Sequence, residues 1–231
     1  NENTAKVYAD DSLLTADIRI THEVLKIFEL FEANYKLQRF KHLVVSPFGM
    51  RDHFIQLLKK EIKNAKEGKE AWAIIKLNNL VDEKIISVIE LAAQNGVNIK
   101  LIIRGVCVLI QKKFEPGHKL EVFGVIDRFL EHSRLMIFCN DGDPKYFISS
   151  ADWMVRNFDN RIEVTVPIYS EEIKEEIRNI MDIQLKDNTK ARWIGLDPPN
   201  VYRKTAARKP TRSQYEIYRY FQKTTCPNKL S

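Results

Sequence analysis

Cysteine is scarce: Cys107, Cys139 and Cys226 lie far apart, with no Cys-x-x-Cys pair. That spacing argues against a disulfide scaffold and a zinc site, and favours a reducing compartment. Long hydrophobic runs are missing as well. The apolar runs, such as Leu43-Val44-Val45 and Leu101-Ile102-Ile103, are strand-sized, far short of the roughly 18 to 20 apolar residues that a membrane-crossing helix needs. No secretory leader, internal repeat or low-complexity segment is apparent, so we expect a soluble cytoplasmic protein. The chain opens on Asn1-Glu2-Asn3-Thr4 rather than Met and falls at once into patterned sequence, so we expect a piece of something longer.

What is present is a globular composition. With 231 residues, 44% hydrophobic and 29% charged, the chain suits one large domain or a domain plus part of another, and disorder is excluded as the dominant state. The formal charge is +6, unevenly placed: from Val201 onward eight Lys or Arg face the single Glu216, +7 in all, which leaves about −1 for the other 200 residues. Such a basic segment suits a local polyanion or acidic partner, or else a solvated tail that maintains solubility.

Hydrophobic periodicity alternates between strand and helix. Residues 42–46 read as a strand ended by Ser46-Pro47-Phe48-Gly49, and residues 51–66 as an amphipathic helix with Phe54, Ile55, Leu58, Ile62 and Ala65 on one face. A strand at 71–77, a helix from Asp82 to the Asn95-Gly96 stop and a strand at 99–103 complete a pattern of parallel strands with crossover helices. Sheets of this kind bind ligands beyond the carboxyl ends of their strands, where Arg104 stands. Further strands are expected at 134–138, 145–149 and 161–168, and helices at about 171–185 and 213–221. Before a boundary near residue 40, residues 8–14 read as irregular and 20–31 as a helix with Val24, Ile27, Phe28 and Phe31 on one side.

His132 is the histidine that stands out. The run Asp127-Arg128-Phe129-Leu130-Glu131-His132-Ser133-Arg134 gathers charge around an imidazole and leads into a strand, on which His132 and Arg134 share a side. A cation beside a histidine suits phosphate chemistry, the guanidinium holding the anion and the imidazole moving a proton or attacking phosphorus; a surface histidine in a salt network is the alternative. One hairpin later, Ser149-Ser150-Ala151-Asp152 offers hydroxyl donors and a carboxylate that would orient His132 or a neighbouring arginine, or simply forms an ordinary strand end. Arg104-Gly105 lets backbone approach an anion closely, unless Arg104 is taken by Asp127 or Glu131. Tyr8, beside Asp10 and Asp11, would stack on a base, bind phosphate or close a seam. Trp153, Arg156 and Asn157 read as a wall of the same pocket, while His22, His42, His53 and His118 show no ligand spacing.

The order His-x-basic, strand, turn, strand, Ser-Ser-x-Asp resembles half of a phospholipase D type site, with Arg134 in place of the usual lysine. A more extensive resemblance is to the carboxyl-terminal part of bacterial long-chain polyphosphate kinases. It is carried by Tyr8 with residues 12–17, Val45-Ser46-Pro47, Lys76-Leu77-Asn78-Asn79-Leu80, Arg104-Gly105, residues 127–132, Ser149-Ser150-Ala151-Asp152-Trp153-Met154, Arg156-Asn157 and Lys190-Ala191-Arg192. The turn at Asn140-Asp141-Gly142-Asp143 has one glycine where the family often has two, and Asp11 stands where an aromatic residue can occur.

The resemblance implies an α/β fold: a phospholipase D-like domain with a mixed, largely parallel sheet flanked by helices, preceded by the tail of a second such domain. Residues 1 to about 40 would end the earlier domain, and 41 to 231 would form the later one, with a basic tail from about 201. The implied activity is transfer of the terminal phosphate of ATP to inorganic polyphosphate through a phosphohistidine that precedes Asn1. Tyr8, Arg104 and His132 would then bind nucleotide and phosphate, His132 would assist catalysis, and Arg134, Ser149, Ser150, Asp152 and Arg156 would support them. The implied partners are ATP or ADP with Mg²⁺, whose protein ligands would lie upstream, and polyphosphate, guided by Arg203, Lys204, Arg208 and Lys209. A homo-oligomer is implied for the full-length protein, with no nucleic-acid partner; peripheral membrane association is left open. Fold alone would equally allow a phospholipase D-like phosphodiesterase or nuclease, or a noncatalytic polyanion-binding module.

Overall fold

The computed structural model describes residues 2–32, 39–109, 119–195, 200–204 and 209–225. A four-residue helix α1 (Glu2–Ala5) and a short strand β1 (Tyr8–Ala9) precede helix α2 (Ile18–Glu32). The main body follows as β2 (Val44–Ser46), α3 (Met50–Lys66), β3 (Trp72–Leu77), α4 (Glu83–Gln94), β4 (Asn98–Ile103) and β5 (Leu120–Val125). Next come β6 (Leu130–Glu131), β7 (Leu135–Phe138), β8 (Lys145–Ser149), α5 (Val155–Asp159), β9 (Glu163–Ile168), α6 (Glu171–Leu185), β10 (Ala191–Trp193) and α7 (Ser213–Thr225).

Eight strands form one mixed sheet in the order β10-β5-β4-β3-β7-β8-β9-β2. Its pairings show that β2, β3, β4, β5 and β8 run one way and β7, β9 and β10 the other; adjacent parallel pairing is confined to β3-β4-β5. That confinement follows from the connections, since parallel neighbours need a crossover such as α4, whereas β7 and β8 are joined by a tight turn. Asp82 caps α4 by accepting the Ile85 N–H at 3.1 Å, and Ser170 does the same for α6 through Ile173.

Side chains alternate across the sheet as the pleat requires. Ala73, Ile75 and Leu77 of β3 and Met136 and Phe138 of β7 pack beneath α3 and α4, while Ile74, Leu135 and Ile137 face α6 with Ile177 and Met181. Burying a side chain of this size contributes roughly 1.5–3 kcal/mol, so the two apolar layers hold the sheet between helices.

Three expectations are corrected here. Strand β5 was not anticipated, and Gly124 within it permits a contact that any side chain would block, since a Cβ there would collide with the Ile103 carbonyl oxygen. On α2 the buried residues are Ile20, Glu23, Ile27 and Leu30, whereas Phe28 and Phe31 are exposed. The helix lies on Leu43 and Val45 of this sheet, with the Glu23 carboxylate accepting the N–H groups of Lys41, His42 and Leu43 at 2.6, 2.9 and 2.7 Å. Residues 8–9, read as irregular, are a strand: β1 pairs in parallel with β6, Tyr8 opposite Leu130. Among the described residues no helix is long and apolar enough to cross a membrane.

Candidate functional site

One edge of the sheet collects the residues of interest because of strand direction. Asn78 and Asn79 follow β3 and Arg104 follows β4; Ser149, Ser150 and Asp152 end or follow β8; His132 and Arg134 precede the oppositely running β7. Antiparallel pairing of β7 with β3 and β8 thus carries the stretch 132–134 to the carboxyl ends of its neighbours.

His132 is partly exposed, and its imidazole is held from the β1 side. Nδ1 lies 2.7 Å from Asp10 Oδ2, and the Tyr8 ring meets the imidazole edge-on with centroids 5.0 Å apart. An ionised carboxylate only accepts, so Nδ1 carries the hydrogen and Nε2 is the nitrogen free for proton chemistry. The β1–β6 pairing enforces this contact through the His132 N–H, which donates to the Ala9 carbonyl at 2.8 Å. Tyr8 also lines a hollow of about 260 Å³ with Lys76, Phe129, Glu131 and Gln214.

Asn78 joins two candidates. Its Nδ2 donates to the His132 carbonyl at 3.1 Å, and its Oδ1 accepts Arg104 Nε at 2.9 Å. Arg104 is not engaged by Asp127 or Glu131, which pair instead with Arg212 and Lys76. Gly105 has the close approach expected of it, although toward protein: an added Cβ would stand 2.8 Å from Asn79 Oδ1 and 2.9 Å from the Asn78 carbonyl.

Asp152 orients arginine rather than histidine. Its Oδ1 accepts Arg134 Nε at 2.9 Å and the N–H groups of Asn78 and Asn79 at 2.9 and 3.1 Å, while Oδ2 accepts Asn79 Nδ2 at 2.8 Å. Burial opposes the ionised form, yet the Arg134 guanidinium and the Asn79 donors hold this carboxyl below its ordinary value. Arg134 also donates to the His132 carbonyl at 3.2 Å, so it is a brace behind the histidine, not a second open cation in front of it.

The hydroxyls expected to face phosphate are otherwise occupied. Ser149 Oγ contacts Thr165 Oγ1 at 2.6 Å, and the Ser150 hydroxyl donates to Glu163, which also receives Asn157 Nδ2 at 2.6 Å. Trp153 is no pocket wall: it is fully buried against Phe54, centroids 5.0 Å apart. Asn157 is buried, whereas Arg156 is exposed on α5 with no side-chain partner among the described residues.

The basic tail is also not what its charge suggested. Arg203 is buried, donating to the carbonyls of Leu185 and Asp187 at 2.6 and 3.3 Å and to Glu121 at 3.1 Å. Arg212 and Arg219 pair with Asp127 and Glu216, and Lys204 and Lys209 are exposed. Cys226, His118, Arg208 and Lys229 lie outside the described residues. Among the described residues no group of three or more His, Cys, Asp or Glu is placed to hold a metal ion.

Sequence reasoning missed Asp10 as the partner of His132, Asn78 as the link to Arg104, and the buried Lys76–Glu131 pair at 2.8 Å. Alternation held the first signal, since Tyr8 and Asp10 share a side of an extended segment.

The model of the family described as "Polyphosphate kinase C-terminal domain 2" matches residues 43–214. The chain belongs to this polyphosphate kinase C-terminal domain family. Relatives named polyphosphate kinase include one from Vibrio vulnificus, 45% identical over 96% of this chain and 32% of that protein. Another, from Escherichia coli K12, is 40% identical over 98% of the chain and 33% of that protein. The crystal structure of polyphosphate kinase from Porphyromonas gingivalis superposes with a TM-score of 0.91 at 38% identity, covering 97% of this chain and 34% of that one. The chain therefore spans about a third of the length of the family members it matches.

Proposed function

We propose that this chain supplies the nucleotide- and phosphate-binding half of a cytoplasmic polyphosphate kinase, which transfers the terminal phosphate of ATP reversibly to inorganic polyphosphate through a phosphohistidine outside this chain. Residues 1 to about 40 close an earlier phospholipase D-like domain and 41 to 231 form the next, a reading supported by the family match beginning at residue 43. The observation that carries the proposal is the linked set Asp10–His132–Asn78–Arg104 at one sheet edge, with Tyr8 against the imidazole.

In this reading Arg104, anchored through Nε, offers its remaining N–H groups to nucleotide phosphates. His132 Nε2, when the ring is protonated, donates a proton or a hydrogen bond to the transferring group, and Asp10 holds the ring in place through Nδ1. Arg134, Ser149, Ser150 and Asp152 keep the frame rigid, because phosphoryl transfer depends mainly on positioning and charge neutralisation. Mg²⁺ would arrive with ATP; the described residues build no cage for it, and no step here is assigned to it. A homo-oligomeric full-length protein belongs to the same proposal.

The test is His132→Ala in the full-length polypeptide, with ATP-dependent polymer synthesis as the readout. Removing a positioned acid lowers turnover by roughly 100- to 10,000-fold. Near-normal synthesis would refute the role.

A further inference from the structure

Lys76 is buried behind the stretch that presents His132. Burial alternates along residues 131–134, with Glu131 and Ser133 inside and His132 and Arg134 partly exposed, so both neighbours of His132 point away from its ring. The Lys76 ammonium meets both of them, donating to Glu131 Oε2 at 2.8 Å and to Ser133 Oγ at 2.7 Å. Lys76, Glu131 and Ser133 are 3%, 8% and 5% exposed, so salt and solvent do little to loosen these bonds.

Strand β3 therefore grips the His132 stretch at three points. Lys76 takes the side chains on either side, and Asn78, two positions on, takes the His132 carbonyl through Nδ2 at 3.1 Å. Helix α7 completes the frame through Gln214, whose amide oxygen accepts the Phe129 N–H at 2.9 Å and whose Nε2 donates to the Phe129 carbonyl at 2.8 Å and to Glu131 Oε1 at 3.0 Å. Gln184 of α6 adds a donor to Glu131 Oε2 at 2.9 Å.

Stability alone does not account for this arrangement. Desolvating two charges offsets most of their attraction, and apolar side chains of similar volume hold a fold as well. An apolar pair cannot fix two residues at hydrogen-bond distance, whereas one ammonium with charge-assisted donors can.

We propose that Lys76 is a positioning residue for phosphoryl transfer: it clips Glu131 to Ser133 and so fixes the backbone that presents the His132 imidazole. This rests on the proposed phosphotransferase reading and deepens it by adding a residue that acts from behind the site. Transfer is sensitive to such support, since a displacement of about 1 Å costs roughly 100-fold in rate.

The experiment measures kcat and KM for ATP-dependent polymer synthesis, with urea unfolding alongside, in the full-length polypeptide. Lys76→Met should lower kcat about 100-fold and leave KM for ATP unchanged, because Arg104 is held by Asn78 rather than by Lys76. It also leaves Glu131 buried without its cation, so Lys76→Met combined with Glu131→Gln separates positioning from stability. Gln184 Oε1 has no partner among the described residues, and turning that amide over lets it accept a hydrogen bond from the new side-chain amide. The double variant should regain the urea midpoint of the unmodified protein while kcat stays low. Ser133→Ala, which removes one end of the clip and leaves the ion pair, should lower kcat about tenfold with KM for ATP unchanged; it decides alone if the Lys76 variants do not fold. Recovery of kcat together with the urea midpoint in the double variant, unaltered kcat in Ser133→Ala, or a rise in KM for ATP that accounts for the loss would overturn the positioning role. Absence of ATP-dependent synthesis by the unmodified polypeptide would instead overturn the phosphotransferase reading.

Discussion

Two buried carboxylates, Asp152 and Asp187, solve the same electrostatic problem with different partners. Asp152 takes a guanidinium, two backbone N–H groups and an amide from residues beside two strands, β3 and β7. Asp187, fully buried, takes only the backbone N–H groups of Thr189, Lys190, Ala191 and Ser213 and the Ser213 hydroxyl. In both, desolvation pushes toward the neutral acid and is outweighed; for Asp152 chiefly by a countercharge, for Asp187 by backbone and hydroxyl dipoles. The one aligns the site edge, because its partners also hold His132 and Arg104. The other pins the start of α7 to the loop before β10, and its donors touch neither residue. A satisfied buried acid is therefore not a sign of function by itself; what its partners hold decides.

The sharpest way to break this comparison is Asp152→Ala. It leaves the largely buried Arg134 guanidinium without its countercharge, which should cost about 3–5 kcal/mol in urea unfolding and abolish polymer synthesis in the full-length polypeptide. A loss below about 1 kcal/mol would mean that Arg134 turns to solvent without penalty. Asp187→Ala should come next, costing about 1–3 kcal/mol as its donors lose an acceptor, while nucleotide affinity stays at the unmodified level. A selective loss of nucleotide affinity would show that the two regions are not separable.

Acid sharpens the contrast further. Both folded-state carboxyls lie below their unfolded value of about 3.9, so the stability they contribute is complete above that pH and is lost as pH falls through the lowered folded values. Urea titrations of Asp152→Asn and Asp187→Asn should therefore approach the unmodified protein below pH of about 3.9, and a gap that widens there would contradict the assignment. The smallest effects belong to the tail. Arg203→Gln should destabilise by about 1–3 kcal/mol because the buried Asp187 carbonyl and the partly buried Leu185 carbonyl lose their donor. Lys204→Gln, one residue on and exposed, should stay within about 0.5 kcal/mol. Equal effects would show that the burial of Arg203 carries no weight.

Periodicity made most elements legible: α6 is found at residues 171–185, where its apolar spacing predicts it, and β7, β8 and β9 fall within the expected runs. Strand β5 was harder to see, because Gly124 interrupts its apolar alternation and only the neighbouring strand reveals why a glycine is needed. The apolar face of α2 was misjudged because Phe28 outranks Glu23 in hydrophobicity. Yet the carboxylate finds three backbone donors beneath the helix and is buried, whereas the ring is not.

The amino-acid order by itself determined the alternation of helix and strand, the family pattern and the short list containing Tyr8, Arg104 and His132, since these depend on local spacing and residue chemistry. Tertiary structure alone decided that Asp10 holds the imidazole, that Asp152 is given to Arg134, and that Arg203 is internal. Each of those is a contact between segments far apart in the chain, fixed by strand order and direction, about which local sequence carries no information.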